Sequence, residues 1–212
     1  MTDPETSGTR DPPNITQSTK QFDKHTQNSV VTSGERSGKS SATGEDQDMT
    51  DVLIAGVAVA DIIMRVAELP EKAEKYRAKD ALVTVGGCAA NAAIAVARQG
   101  GRARLAARLG DDLIGHLIAD GIKAEGVDLS LSDRREGAQS SFSSLYVDAA
   151  GERQIMNFRG RDLAETIDLT SAPPAGAVLA DNRWPKLTAE AIATARRWSR
   201  WWKRSTREVS RV

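Results

Sequence analysis

Two adjacent glycines, Gly86 and Gly87, separate a strand-like run, Ala81-Leu82-Val83-Thr84-Val85, from an alanine-rich segment that ends at Arg98. β-Branched residues suit a pleated sheet, and alanine is the strongest helix former. A glycine pair between them marks a place where the backbone turns tightly or is approached closely. The junction is therefore a strand, a turn and a helix whose first N–H groups are unpaired and carry partial positive charge. Asn91 stands in the first turns of that helix and offers both a donor and an acceptor. From these residues alone, a ligand cradle and an ordinary glycine turn into a core helix are both open.

The flanking sequence extends the alternation of strand and helix. Residues 52–64 form a nearly continuous apolar run, as expected of one strand covered on both faces. Residues 75–85 read as short strands of alternating polarity, 89–99 as a helix closed by Gly100-Gly101, and 103–109 as a further strand. Asp112 is a suitable N-cap for a helix reaching Glu125. Residues 140–147 and 153–158 predict a hairpin, 177–180 a buried strand, and 188–198 a helix. This order predicts an α/β fold with a parallel sheet and helices on its faces. Ligands of such sheets bind at the carboxyl ends of strands, where Asp61, Gly86, Gly87 and Asp181 are expected to fall.

The 212 residues suffice for one substantial domain. Lys plus Arg and Asp plus Glu both number 29, so net charge gives no argument for nucleic acid or a membrane surface. A single cysteine, Cys88, excludes an internal disulfide and a cysteine-based zinc site. No membrane-length apolar run occurs, and a cytoplasmic protein is expected. His25 and His116 have no partner at metal-ligand spacing and read as structural or solvated. Residues 1–48 are rich in Ser, Thr, Gly, Asp and Gln and are expected to be a disordered extension, with Met49 a plausible start. Within it, Gly34-Glu-Arg-Ser-Gly-Lys-Ser40 imitates a phosphate-binding loop but has three residues between its glycines where four are required. At the other end, three of the four tryptophans fall within residues 198–202 amid Arg and Ser, and residues 198–212 read as an aberrant basic-aromatic tail that breaks the helical pattern.

Four segments in order, Val52-Leu-Ile-Ala-Gly-Val-Ala-Val-Ala-Asp61, Gly86-Gly-Cys-Ala-Ala-Asn91, Arg108-Leu-Gly-Asp-Asp-Leu-Ile-Gly115 and Glu125-Gly-Val-Asp128, carry a family resemblance. Residues 49–197 resemble the N-terminal part of the ribokinase-like (PfkB) carbohydrate kinases. The resemblance implies a ribokinase-like sheet with helices on both faces and a small β lid, and ATP- and magnesium-dependent phosphorylation of a sugar hydroxyl. It implies that Asp61 binds sugar hydroxyls and that Gly86, Gly87 and Asn91 complete the sugar pocket. Cys88 stands where ribokinase itself carries Lys, which implies a substrate other than simple ribose. Residues 70–77 lie where the family inserts its lid, whose strands often pair subunits into a homodimer. Gly151-Glu-Arg-Gln-Ile-Met-Asn157 and Leu179-Ala-Asp-Asn-Arg-Trp-Pro185 are similar to bacterial sulfofructose kinases, which implies an anionic sugar held by Lys75 and Arg153.

The family's late Gly-Ala-Gly-Asp segment, which supplies the catalytic base and the anion hole, has no counterpart among the 212 residues. Its magnesium-associated motif and adenine pocket, also C-terminal in the family, are likewise absent from the sequence. No catalytic or metal-binding residue can be named here, and the expectation is a truncated, inactive form. Two alternatives remain: a non-catalytic sugar-binding or dimerising remnant, and a polyanion-binding protein acting through the basic residues of 196–212.

Overall fold

The computed structural model describes residues 30–33 and 50–209, and the side chains of 50–199. Two sheets divide the work. The first has strand order β1-β10-β2-β5, with β1 at Val30–Ser33, β2 at Asp51–Ala55, β5 at Arg102–Ala106 and β10 at Ala177–Ala180. β10, β2 and β5 run parallel, so that Leu53 stands between Val178 and Arg104. The second sheet has order β4-β3-β8-β9, with β3 at Val59–Arg65, β4 at Asp80–Gly86, β8 at Phe142–Val147 and β9 at Arg153–Phe158. Two short strands, β6 (Arg108–Gly110) and β7 (Asp133–Arg135), pair apart from both sheets.

Alternation along β2 explains how the first sheet is covered on two faces. Ile54 packs with Ala103, Leu105 and the buried alanines of α1 (Cys88–Arg98), together with Ile118 and Ile122 of α2 (Leu113–Ala124). Leu53 and Ala55 point the other way, toward Leu187 and Ala191 of α3 (Pro185–Val209) and toward Trp184. Helices on both faces and a separate small sheet are the architecture expected from the sequence.

The apolar run 52–64, expected as one strand, is two strands in two sheets. The break falls at residues 56–58, where Gly56 has φ +151° and packs against the Asp181 carboxylate. Asp181 is buried; it accepts from Val57 N–H at 2.8 Å and from Arg183 N–H at 3.0 Å. Both halves are apolar because both are partly covered, so hydropathy does not reveal the change of sheet. The expected strand 103–109 is interrupted in the same way at Ala107. There the Ser132 hydroxyl accepts from Ala107 N–H at 3.0 Å and donates to Leu105 C=O at 2.7 Å, replacing a neighbouring strand's backbone.

The termini depart from expectation at two points. Val30–Ser33, within the stretch expected to be disordered, forms an antiparallel edge strand on Ala177–Ala180. The pseudo-phosphate loop at 34–40 and Met49 lie outside the described residues. Residues 198–209, expected to break the helix, continue α3 to Val209. No glycine occurs in that stretch, and the helix's one proline is its first residue, where proline is tolerated.

Arg108-Leu-Gly-Asp-Asp-Leu-Ile-Gly115 has a structural explanation. Asp112 caps α2 by accepting from Gly115 N–H at 2.8 Å, and takes the Ser140 hydroxyl at 2.6 Å and Ser140 N–H at 3.0 Å. Ser140 in turn accepts from Gly110 N–H at 2.8 Å, which ties the motif to the segment entering β8. Burial pushes the Asp112 carboxyl upward, but the hydrogen bonds from Ser140 and Gly115 outweigh it and hold the group below the ordinary carboxylate range. Its stabilisation is therefore present above the unfolded-state value of about 3.9 and lost as pH falls through the folded-state value. Asp112→Ala is expected to cost about 1–2 kcal/mol in urea unfolding at pH 7. Its deficit should shrink toward acid; a deficit that is the same at pH 7 and pH 3 would contradict the assignment.

Candidate functional site

Where β4 ends and α1 begins, the two sheets meet. Val57, between β2 and β3, donates its N–H to Asp181 and accepts from Ala90 N–H in the first turn of α1 at 3.3 Å. Gly87 is the N-cap of α1, with φ +98°, and its Cα lies so close to the Val57 carbonyl that any side chain would collide with it. Gly86 is equally constrained, since a Cβ there would overlap the Asp61 carboxylate. The glycine pair is thus needed for close approach on both sides: Gly87 to the β2–β3 turn and Gly86 to Asp61.

Asp61 lies in the middle of β3 and not at a strand end as expected. Register places it opposite Thr84 on β4 and opposite Ser143 on β8. Its carboxyl is raised above the ordinary range because burial disfavours the charged form, an effect the Ser143 hydroxyl partly offsets by hydrogen bonding to it. Asn157 on β9 pairs with Ser143 and donates from Nδ2 to Ser143 Oγ at 3.1 Å and to Phe142 C=O at 3.3 Å. Thr84, Asp61, Ser143 and Asn157 therefore form one polar row across all four strands, on one face of the second sheet. The next row on that face, Leu82, Ile63, Leu145 and Ile155, is apolar.

The structure brings Asp61, Gly86 and Gly87 together, with Asn91 exposed in the first turns of the helix that Gly87 caps. Lys75 is exposed in the loop joining β3 to β4, where the Tyr76 hydroxyl accepts from Glu71 and Lys72 N–H groups. Arg153 opens β9 on the same face as Asp61 but in the outermost row with Val147 and Arg65, about 13 Å along the strand from Asn157. Cys88 is the half-buried first residue of α1. His116 is exposed beside Asp111 at 3.3 Å, in keeping with a solvated role. Asp181, at the carboxyl end of β10, is consumed in bracing the β2–β3 turn.

Among the described residues no group of three or more His, Cys, Asp or Glu side chains could hold a metal ion, and no helix is long and apolar enough to cross a membrane. A depression of about 350 Å³ between α2 and β6–β7, lined by Leu109, Lys123, Asp128, Ser132 and Arg134, includes none of the site residues. Ser143 and Asn157 were not among the residues expected from sequence. Their only signal is position: both lie in the predicted hairpin, and its register sets them beside Asp61.

A family model described as pfkB family carbohydrate kinase matches residues 49–180. The chain is 42% identical over 74 residues to a probable fructokinase-3 of Arabidopsis thaliana, which covers 35% of this chain and 21% of that one. It is 36% identical over 109 residues to the uncharacterised sugar kinase YegV of Escherichia coli, covering 51% of this chain and 33% of that one. The chain thus spans a fifth to a third of the length of these curated relatives. Among solved structures, a putative ribokinase from Agrobacterium tumefaciens superposes with a TM-score of 0.62 at 33% identity, over 71% of this chain and 50% of the other.

A raised carboxyl means that protonated Asp61 suits the fold better than ionised Asp61. That contribution is complete below the unfolded-state value and lost as pH rises through the folded-state value. Asp61→Asn keeps an acceptor for Ser143 without the charge. Its melting temperature should match wild type near pH 3 and exceed it at pH 7; a variant less stable at both would contradict this electrostatic reading.

Proposed function

Because the chain belongs to the pfkB family of carbohydrate kinases, we propose that its described residues form the sugar-binding side of an ATP-dependent sugar kinase. The observation that carries this reading is the seating of the Asp61 carboxylate over Gly86 at the start of α1. An ionised carboxylate accepts several hydrogen bonds and suits vicinal hydroxyls, and a Gly-Gly backbone lets a sugar ring lie close to the helix N-terminus. Asn91 adds a donor and an acceptor for a further hydroxyl. The two basic side chains, Lys75 and Arg153, are proposed to favour an anionic group at the outer end of the site.

These residues bind and orient; they do not supply phosphoryl transfer. ATP with magnesium would bring the transferable phosphoryl group and its charge neutralisation; among the described residues no group of three or more His, Cys, Asp or Glu side chains would hold the metal by itself. The sequence has no Gly-Ala-Gly-Asp segment. On this proposal the described residues bind sugar without turnover, and none of them is assigned as the base or the phosphate cradle of transfer. Exposed Val83 and Met156, on the face of the second sheet opposite Asp61, favour pairing of two copies through that face. A sedimentation mass of one chain would exclude that pairing.

Calorimetric titration with fructose, ribose and their phosphorylated or sulfonated analogues tests the binding reading. Asp61→Ala is expected to weaken binding about 10–100-fold, as for loss of hydrogen bonds to a charged group. Arg153→Ala should weaken anionic analogues more than neutral sugars. Unchanged affinity in Asp61→Ala, or ADP release by the chain with MgATP and sugar, would contradict the proposal.

A further inference from the structure

Asp61 does not stand alone in its row. Ser143 is buried, 7% exposed, and lies directly across from it on β8. Asn157 lies directly across from Ser143 on β9. The direction of the hydrogen bonds along this row is fixed by chemistry. The Asn157 amide nitrogen faces two oxygens, Ser143 Oγ at 3.1 Å and the Phe142 carbonyl at 3.3 Å, so it must be the donor to both; a flipped amide would set oxygen against the carbonyl. Ser143 Oγ accepts that bond and has its own proton left for Asp61, whose ionised carboxylate can only accept.

We infer that Ser143 is a positioning residue for Asp61, and that Asn157 orients Ser143 so that its hydroxyl proton is directed at the carboxylate. The inference rests on the reading of Asp61 as the sugar ligand. It assigns roles to two residues outside the Asp61, Gly86, Gly87, Asn91 set. With one lone pair engaged by Ser143, the carboxylate is held at a fixed rotation and presents its remaining lone pairs away from β8. The row also links the outermost strand, β9, to Asp61 on β3 through Ser143, which is hydrogen-bonded by Asn157 and stands opposite Asp61 in register.

The electrostatic surroundings agree. No charged side chain shares the row: the groups facing Asp61 are Thr84 and Gly86 on β4 and Ser143 on β8, with the N-terminus of α1 following Gly87. Arg65, Asp80 and Arg153 share the face but lie two rows away. Ser143 is accordingly the side chain that counters the burial of the carboxyl.

The test follows the Asp61 carboxyl directly by carbon-13 NMR titration, in wild type and in Ser143→Ala, Ser143→Thr and Asn157→Ala, without and with fructose. The titration midpoint should rise in Ser143→Ala, rise less in Asn157→Ala, and stay at the wild-type value in Ser143→Thr, which keeps the hydroxyl. Fructose affinity at pH 7 should fall about threefold to tenfold in Ser143→Ala and recover in Ser143→Thr, the size of one ordinary hydrogen bond felt indirectly through Asp61. A midpoint unmoved in both Ser143→Ala and Asn157→Ala overturns the inference. Asn157 is exposed, so its variant tests the chain even if Ser143→Ala fails to fold. Midpoints that move as stated in a protein that binds no sugar would overturn the sugar-binding reading while leaving the hydrogen-bonded row intact.

Discussion

The contact on which the site depends is the one between the Asp181 carboxylate and the backbone at Val57. Two sheets of different purpose must be joined by three residues, and a turn that tight leaves N–H groups pointing inward. Asp181 takes the Val57 N–H, while its other oxygen takes the Arg183 N–H on its own loop. The Val57 carbonyl then faces outward and receives the first turn of α1 through Ala90. Gly87 fits against that carbonyl, Gly86 against Asp61, and the Asp61 carboxylate, the glycine pair and the helix N-terminus are fixed relative to one another. A buried acid tied by backbone hydrogen bonds to a loop is costly to replace, since removing it leaves a buried donor unpaired.

Two carboxylates in this chain are pushed in opposite directions, Asp112 below the ordinary range and Asp61 above it. Asp112 lies among donors and is held below the ordinary range, so its charge stabilises the fold. Asp61 has one side-chain donor and substantial burial, so its charge destabilises the fold. A group retained against stability is expected where a ligand supplies the missing donors. Sugar hydroxyls are suited to that task, and the family to which the chain belongs acts on sugars.

The parts of this arrangement legible in sequence are those with local causes. The glycine pair, the alanine-rich helix and the Asp112 cap follow from residue chemistry within a few positions, and the hairpin 142–147/153–158 from two alternating runs around a turn. What was not legible depends on which strand lies beside which. The run 52–64 is apolar on both sides of its break, so the change of sheet at Gly56 leaves no hydropathy signal. The break at Ala107 depends on Ser132, 25 residues away. Asp61, Ser143 and Asn157 meet through register alone: a shift of one residue between β3 and β8 would send Ser143 to the opposite face, and one between β8 and β9 would do the same to Asn157.

The most direct test of the central claim, that a sugar is held between the Asp61 row and the Gly86-Gly87 helix start, is a proton–nitrogen NMR map of the full chain titrated with fructose and ribose. The account predicts saturable shifts concentrated at Val57, Asp61, Gly86, Gly87, Asn91 and Ser143, and lost in Asp61→Asn. Shifts confined to the depression between Leu109 and Arg134, or none at either site, would contradict it.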